Sequence, residues 1–281
     1  MKHTESFFEG TRGIALHSQC WLPEESSRAI LAIVHGVTEH SGRYSNIVRP
    51  MLSAQLGVCG FDLRGHGRSL GRRGHVDSWQ DYLSDLEVFL RKIRTSFPGL
   101  PIFLFGHSLG SLIVLAYVME HPGAVVGVIV SGVPIDPVGV ARPSIVALAR
   151  IFSSIWPTFA LTGIGPKPGR PPALSRDPRV EADFLADPLR LRQLTARWGV
   201  ECLAMVASVK RRASSVKLPL LVIHGGSDPL NSLGGAQEFY NQVDFPDKQM
   251  QIYQDSYHEP HNDLDHERVV GDLRHWIERH L

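Results

Sequence analysis

The chain has 281 residues, which is long for one compact domain, so one core carrying an appendage is expected. Hydrophobic residues make up 43% and charged residues 20%, enough apolar material for a buried core and no basis for disorder. Lys plus Arg number 29 against 28 Asp plus Glu, a formal charge of +1 without any lysine-rich run, so nucleic acid is not an expected partner.

From Met1 through Phe7, Phe8, Gly10 and Gly13, polar residues and glycines interrupt the chain before an apolar run of signal-peptide length forms. No uninterrupted apolar stretch approaches a membrane span either, and a cytoplasmic location is expected, compatible with contact at a lipid surface. Residues 7–14 and 15–21 read as an opening antiparallel hairpin. Short apolar runs at 29–34, 58–63, 102–105, 125–130, 218–223 and 250–253 read as strands, and helical patterns alternate with them. That alternation predicts an α/β fold, a mostly parallel sheet flanked by crossover helices. Trp79, Tyr82, Leu83, Leu86, Leu90, Ile93 and Phe97 recur every three or four residues and form the core face of one such helix. Val269, Val270, Leu273, Trp276 and Ile277 do the same in the last. The cysteines, Cys20, Cys59 and Cys202, are odd in number and widely spaced, and are expected to be reduced, buried thiols.

The alternation stops after Val130 and resumes near Leu218, which marks an insertion. The expected division is core at 1–134, cap at 135–215 and core again at 216–281. Within the insertion Ile145, Leu148, Ala149, Phe152, Ile155 and Phe159 form an apolar stripe, followed by a Pro- and Gly-rich arm at 163–172. Such a stripe packs on the core or serves as a lid facing an apolar substrate. The segment alone favours packing.

Gly106-His107-Ser108-Leu109-Gly110 follows a predicted strand and precedes a helical run, the setting of a strand-turn-helix elbow that presents a nucleophilic serine. A serine hydroxyl needs a general base, and the base needs an acid to hold its tautomer. Asp228 lies just beyond the strand ending at Ile223, and His258 follows the last strand, the best placed of 14 histidines. An Asx-type turn before Pro229 is the competing reading of Asp228. His258-Glu259-Pro260-His261 is not a metal spacing, because Pro260 prevents the helix that would align two ligands, and no metal is expected. The oxyanion hole takes one amide from Leu109 and a second from Val37, in the His35-Gly36-Val37 turn after an early strand.

The chain resembles the monoacylglycerol lipase and lysophospholipase-like branch of the α/β-hydrolases, also grouped as serine aminopeptidase S33-like. The resemblance spans nearly the whole chain and rests on the stretch from His35 to Tyr44, on Asp62-Leu63-Arg64-Gly65-His66-Gly67-Arg68-Ser69, on the elbow, on Leu174 to Pro178 with Asp187-Pro188, and on Tyr257-His258. It implies an α/β-hydrolase fold with a cap over an acyl tunnel and cofactor-free hydrolysis of a glycerol monoester or similar lipid ester. It also implies a lid that touches membrane, bringing Ile145 and Ile155 toward substrate, with Glu39 and His261 organising the polar end of the pocket. Leu109 departs from the family's usual methionine, without consequence for a backbone amide, and the cap matches only in patches. A lysophospholipase, a short-chain carboxylesterase, a peptidase and a non-catalytic scaffold are the rival readings, and the presence of every triad member weighs against the last.

Overall fold

The computed structural model describes residues 1–137, 150–162 and 173–281. An eight-stranded sheet runs in the order β1-β2-β4-β3-β5-β6-β9-β10. Its strands are β1 (Lys2–Glu9), β2 (Ala15–Leu22), β3 (Ala29–Val34), β4 (Leu56–Phe61), β5 (Ile102–His107), β6 (Gly127–Ser131), β9 (Leu220–Gly225) and β10 (Lys248–Tyr253). From β4 to β10 the pairing is parallel, while β1 and β2 are antiparallel to each other and β2 is antiparallel to β4. Helices cover both faces, which is why the central strands are continuous apolar runs instead of alternating ones. Ile30, Ala32 and Val34 pack toward α2 (Trp79–Ser96) and α3 (Leu109–Glu120). Ala29, Leu31 and Ile33 pack toward α1 (Ser45–Ser53) and α7 (His266–Arg279). The helix α3 is buried from Leu109 to Met119, so it presents apolar side chains all round.

The chain runs from β3 to β4 on one side and later crosses to place β5 on the other, so the strand order reverses between β3 and β5. Loops leaving the carboxyl ends of strands at such a reversal splay apart and leave a crevice. The turn after β3 carries Val37 and the turn after β5 carries Ser108, so both open onto it. The described residues between β6 and β9 add no strand to this sheet. Their described parts are a helical turn at 150–155, a small antiparallel pair of β7 (Ala160–Thr162) and β8 (Gln193–Thr195), α4 (Pro178–Ala186) and α5 (Ala196–Arg211). The helix α6 (Leu233–Gln242) follows β9. The insertion bonds to the loops beneath it, Leu191 N–H donating to the Thr38 carbonyl at 2.9 Å. Leu174, also in the insertion, accepts from Glu259 N–H at 2.8 Å.

The expected trio of free thiols is corrected for two of them. Cys20 and Cys59 are register partners across antiparallel β2 and β4 and form a disulfide, with Cα atoms 4.1 Å apart. Their separation of 39 residues held no pairing signal, and only the sheet order makes them neighbours. Burial pushes the remaining thiol, Cys202, up to about 12. Alkylation of the unfolded chain without reductant should modify Cys202 alone, whereas prior reduction should expose Cys20 and Cys59 as well. Reduction should lower stability by about 2–4 kcal/mol in a denaturant titration, and labelling of every cysteine without reductant would refute the bridge.

Candidate active site

Ser108 sits at φ 49°, ψ −114°, between the end of β5 and the first turn of α3. The turn closes because the flanking glycines admit backbone where a side chain would collide. A Cβ on Gly110 would stand 2.0 Å from the Val34 carbonyl oxygen, and one on Gly106 would stand 2.5 Å from the Gly110 carbonyl. Ser108 N–H donates to the Ser131 carbonyl at 2.8 Å, which ties the elbow to β6. Ser108 is 8% exposed, and the helix dipole of α3 points positive charge at it.

The loops after β9 and β10 bring Asp228 and His258 together. His258 Nδ1 lies 2.8 Å from Asp228 Oδ2, and that carboxylate is fully buried. Its other oxygen accepts from the amides of Leu230 at 2.8 Å and Asn231 at 3.1 Å. The turn role and the partnership with histidine therefore coexist in one side chain. With Asp228 accepting at Nδ1–H, the neutral imidazole leaves Nε2 as its acceptor. Burial raises the Asp228 carboxyl, yet the charge and hydrogen bond of His258 outweigh it and hold the group below its ordinary value. Burial likewise pulls His258 down, but Asp228 prevails and the imidazole ends above its ordinary value.

Ser108 and His258 share no hydrogen bond in this structure. They are brought close through neighbours: the His107 ring lies 4.8 Å from that of His258, and a Cβ on Gly132 would meet the His258 ring at 3.1 Å. Catalytic hydrogen bonds often tighten only once substrate is bound.

The turn after β3 is held from both sides. His35 receives the Leu63 amide at Nε2, 2.9 Å away, and contacts the Gly36 carbonyl through Nδ1 at 2.7 Å, which fixes a neutral ring with its proton on Nδ1. Thr38 takes φ 66°, and the Val37 amide donates to no carbonyl among the described residues. A Cβ on Gly36 would stand 3.3 Å from the Ser108 Cβ, so this turn lies directly against the elbow. The turn that carries Val37 thus packs against the elbow that carries Ser108 and Leu109.

Glu39 is 3% exposed, and both its oxygens are engaged. Oε1 accepts from Gly36 N–H and from Tyr44 O–H at 2.7 Å, and Oε2 from Arg43 at 2.7 Å. His261 is 2% exposed, stacks on Tyr44 with ring centres 5.3 Å apart, and is pulled down to about 4 by burial. Its Nδ1 has no hydrogen-bond partner among the described residues. Ile145, Leu148 and Ala149 lie outside the described residues. Ile155 is 80% exposed, with Ile151 and Trp156 exposed beside it, while Phe152 and Phe159 stack at 4.9 Å. The two phenylalanines thus pack on each other, and the packing on the core expected for the stripe fails for Ile155. Arg43, Glu259 and His107 belong to the site and were not singled out by sequence. Arg43 and His107 lie inside the motifs that carry the family resemblance, whereas Glu259 has no sequence signal beyond its place between His258 and His261.

The family model described as serine aminopeptidase, S33, matches residues 25–265. The chain is 31% identical over 279 residues to the monoacylglycerol lipase of Mycolicibacterium smegmatis, covering 99% of this chain and 98% of that one. It is 29% identical to the monoglyceride lipase of Homo sapiens, covering 94% of this chain and 87% of that one. The crystal structure of Paleococcus ferrophilus monoacylglycerol lipase superposes with a TM-score of 0.83, at 27% identity and with 100% of each chain covered.

Because Asp228 holds His258 above its ordinary value, the imidazole stays protonated to a higher pH than a free histidine. The acid limb of kcat/KM for an ester should accordingly rise with a midpoint above about 6.5. Asp228→Asn should lower kcat by about 10⁴-fold through the wrong tautomer, read in the same assay with circular dichroism to confirm folding. A folded variant with near wild-type turnover would remove Asp228 from the site.

Proposed function

The chain belongs to the serine aminopeptidase S33 family of hydrolases, and on that premise we propose that it cleaves monoacylglycerols to free fatty acid and glycerol through an acyl-enzyme. Ser108 attacks the ester carbonyl while His258 Nε2 takes the hydroxyl proton, and Asp228 remains ionised throughout. The amides of Val37 and Leu109 hold the oxyanion. His258 then hands its proton to the departing glycerol oxygen. Water, deprotonated by the same imidazole, attacks the acyl-enzyme, releases the fatty acid and returns the proton to Ser108. The observation that carries this reading is the 2.8 Å bond between His258 and a buried Asp228, beside a serine strained into an elbow.

The insertion is read as a cap over the acyl tunnel. Exposed Ile151, Ile155 and Trp156 form an apolar patch on it and support peripheral contact with a lipid surface. No helix among the described residues is long and apolar enough to cross a membrane. A cytoplasmic location has the Cys20–Cys59 disulfide against it, since such bonds persist in oxidising compartments.

A hydrolysis panel tests the substrate class, comparing monoacylglycerols of several chain lengths with di- and triacylglycerols, lysophospholipids, short soluble esters and aminoacyl amides. Monoacylglycerol should give the highest kcat/KM, and preference for a lysophospholipid or an amide would overturn the reading. Ile155→Asp should depress turnover of long-chain monoacylglycerol several-fold more than that of a soluble butyrate ester. Its thermal midpoint should barely move, because an exposed site contributes within about 0.5 kcal/mol. Equal slowing of both substrates would refute the lipid-facing role of this segment.

A further inference from the structure

A buried guanidinium joins the two loops that carry the halves of the site. Arg43 donates through one terminal nitrogen to Glu39 Oε2 at 2.7 Å and to Glu259 Oε1 at 2.8 Å, and through the other to Glu259 Oε2 at 3.0 Å. The side chains of Arg43, Glu39 and Glu259 are 12%, 4% and 2% exposed. On one side, Glu39 receives the amide of Gly36, the residue before Val37. On the other, Glu259 directly follows His258 in the chain, and its second oxygen also accepts from Asn262 at 2.8 Å. The insertion closes over the pair, with the Arg43 guanidinium 4.9 Å from the ring centre of Phe184 in α4.

A bidentate fork fixes a carboxylate in direction as well as distance, so the Glu259 backbone has little freedom relative to the turn after β3. Replacing a buried ion pair by apolar residues is often neutral for stability, so stability gives no strong reason for charges here. Positional specification does. We propose that the Arg43–Glu259 pair is a positioning device of the catalytic site, locking the loop that bears His258 to the loop that supplies the Val37 amide and setting the charge that His258 faces. This rests on the reading of Ser108 and His258 as nucleophile and base. Arg43 and Glu259 act through those groups and are positioning residues.

The charge around His258 follows from its neighbours on each packed element. Asp228, from the loop after β9, is the anion in contact, and His224 at the end of β9 lies 3.8 Å from the same carboxylate. Burial drives His224, His107 at the end of β5 and His261 down, so these rings are neutral at ordinary pH. Glu259 and Glu39 add anions that favour the imidazolium, and the Arg43 cation paired with both opposes it by Coulombic repulsion. Removing Glu259's charge must lower the pH at which His258 gives up its proton. Removing Arg43's charge must raise it. Loosened packing alone has no reason to move the two in opposite directions.

The experiment measures kcat, KM and the acid limb of kcat/KM for a soluble butyrate ester with Glu259→Gln, Arg43→Gln and Arg43→Lys. Thermal midpoints and covalent labelling of Ser108 by a phosphonate accompany each. Glu259→Gln should lower kcat on the order of ten- to hundred-fold with KM changed little, the signature of misplaced reacting groups. Its acid limb should move down by on the order of one pH unit, and that of Arg43→Gln up by a similar amount. Arg43→Lys keeps the charge and loses the fork, so its limb should stay at the wild-type position while kcat remains depressed. If Arg43→Gln does not fold, the contrast between an unmoved limb in Arg43→Lys and a lowered one in Glu259→Gln carries the result. A folded Glu259→Gln with wild-type kcat and limb, or limbs moving the same way in Glu259→Gln and Arg43→Gln, would overturn the proposal. Failure of the phosphonate to label wild-type Ser108 would instead overturn the reading of the site itself.

Discussion

Ser108 occupies a backbone conformation that costs a residue with a side chain on the order of 1–3 kcal/mol, and the sheet imposes it. The constraint is one of contact between β3, β5 and α3. Gly110 lies so near the Val34 carbonyl that no side chain fits, and a side chain on Gly106 would collide with the Gly110 carbonyl. Helix α3, buried on all sides, has no room to retreat. With strand and helix both fixed, the residue joining them must turn sharply, and its side chain is thrown to the crevice between the loops after β3 and β5. The strain is therefore held by hydrophobic burial at a distance and is not stored in the site's own polar contacts.

Around that turn, polar and charged groups are buried in sets whose geometry is mutually determined. Asp62 accepts from the Ser41 amide at 2.9 Å, the Ser41 hydroxyl at 2.6 Å and the Arg68 amide at 2.8 Å, binding the loop after β3 to the loop after β4. Arg64 forks onto Asp85 of α2 at 2.6 and 2.7 Å. His35 spans the Gly36 carbonyl and the Leu63 amide. The strings of residues most specific to the family thus wire loops together, and few of their side chains are free to meet a substrate. Glu39 illustrates the point, since every contact it makes braces the turn that carries Val37.

The same wiring relates chemistry to the insertion above. Thr38 and Glu259 each bond to backbone in the insertion, at Leu191 and Leu174, and Phe184 covers Arg43. The insertion is therefore attached at the loops that carry Val37 and His258. The exposed apolar patch of Ile151, Ile155 and Trp156 lies in the helical segment leading into β7.

Much of this was legible in the sequence because its physical causes are local. Strands buried on both faces must be apolar throughout, so 29–34 and 102–105 stand out, and helix α2 shows its period because only one side is covered. The elbow needs glycines at fixed offsets from a serine, and the order of serine, acid and histidine follows strand order. Edge strand β1 began earlier than expected, because backbone pairing to β2 sustains it while its side chains face water and carry no pattern. Helix α1 contains Pro50, and α6 opens with Gly234 and Gly235, so neither advertised itself. Sequence determined the fold class and singled out Ser108, Asp228 and His258 as candidates. Tertiary structure alone decided that Cys20 faces Cys59, that Ile155 points outward, and that Arg43 meets Glu259 across 216 residues. Each of these depends on which segments lie side by side, and sheet order sets that through long-range contact that no local pattern encodes.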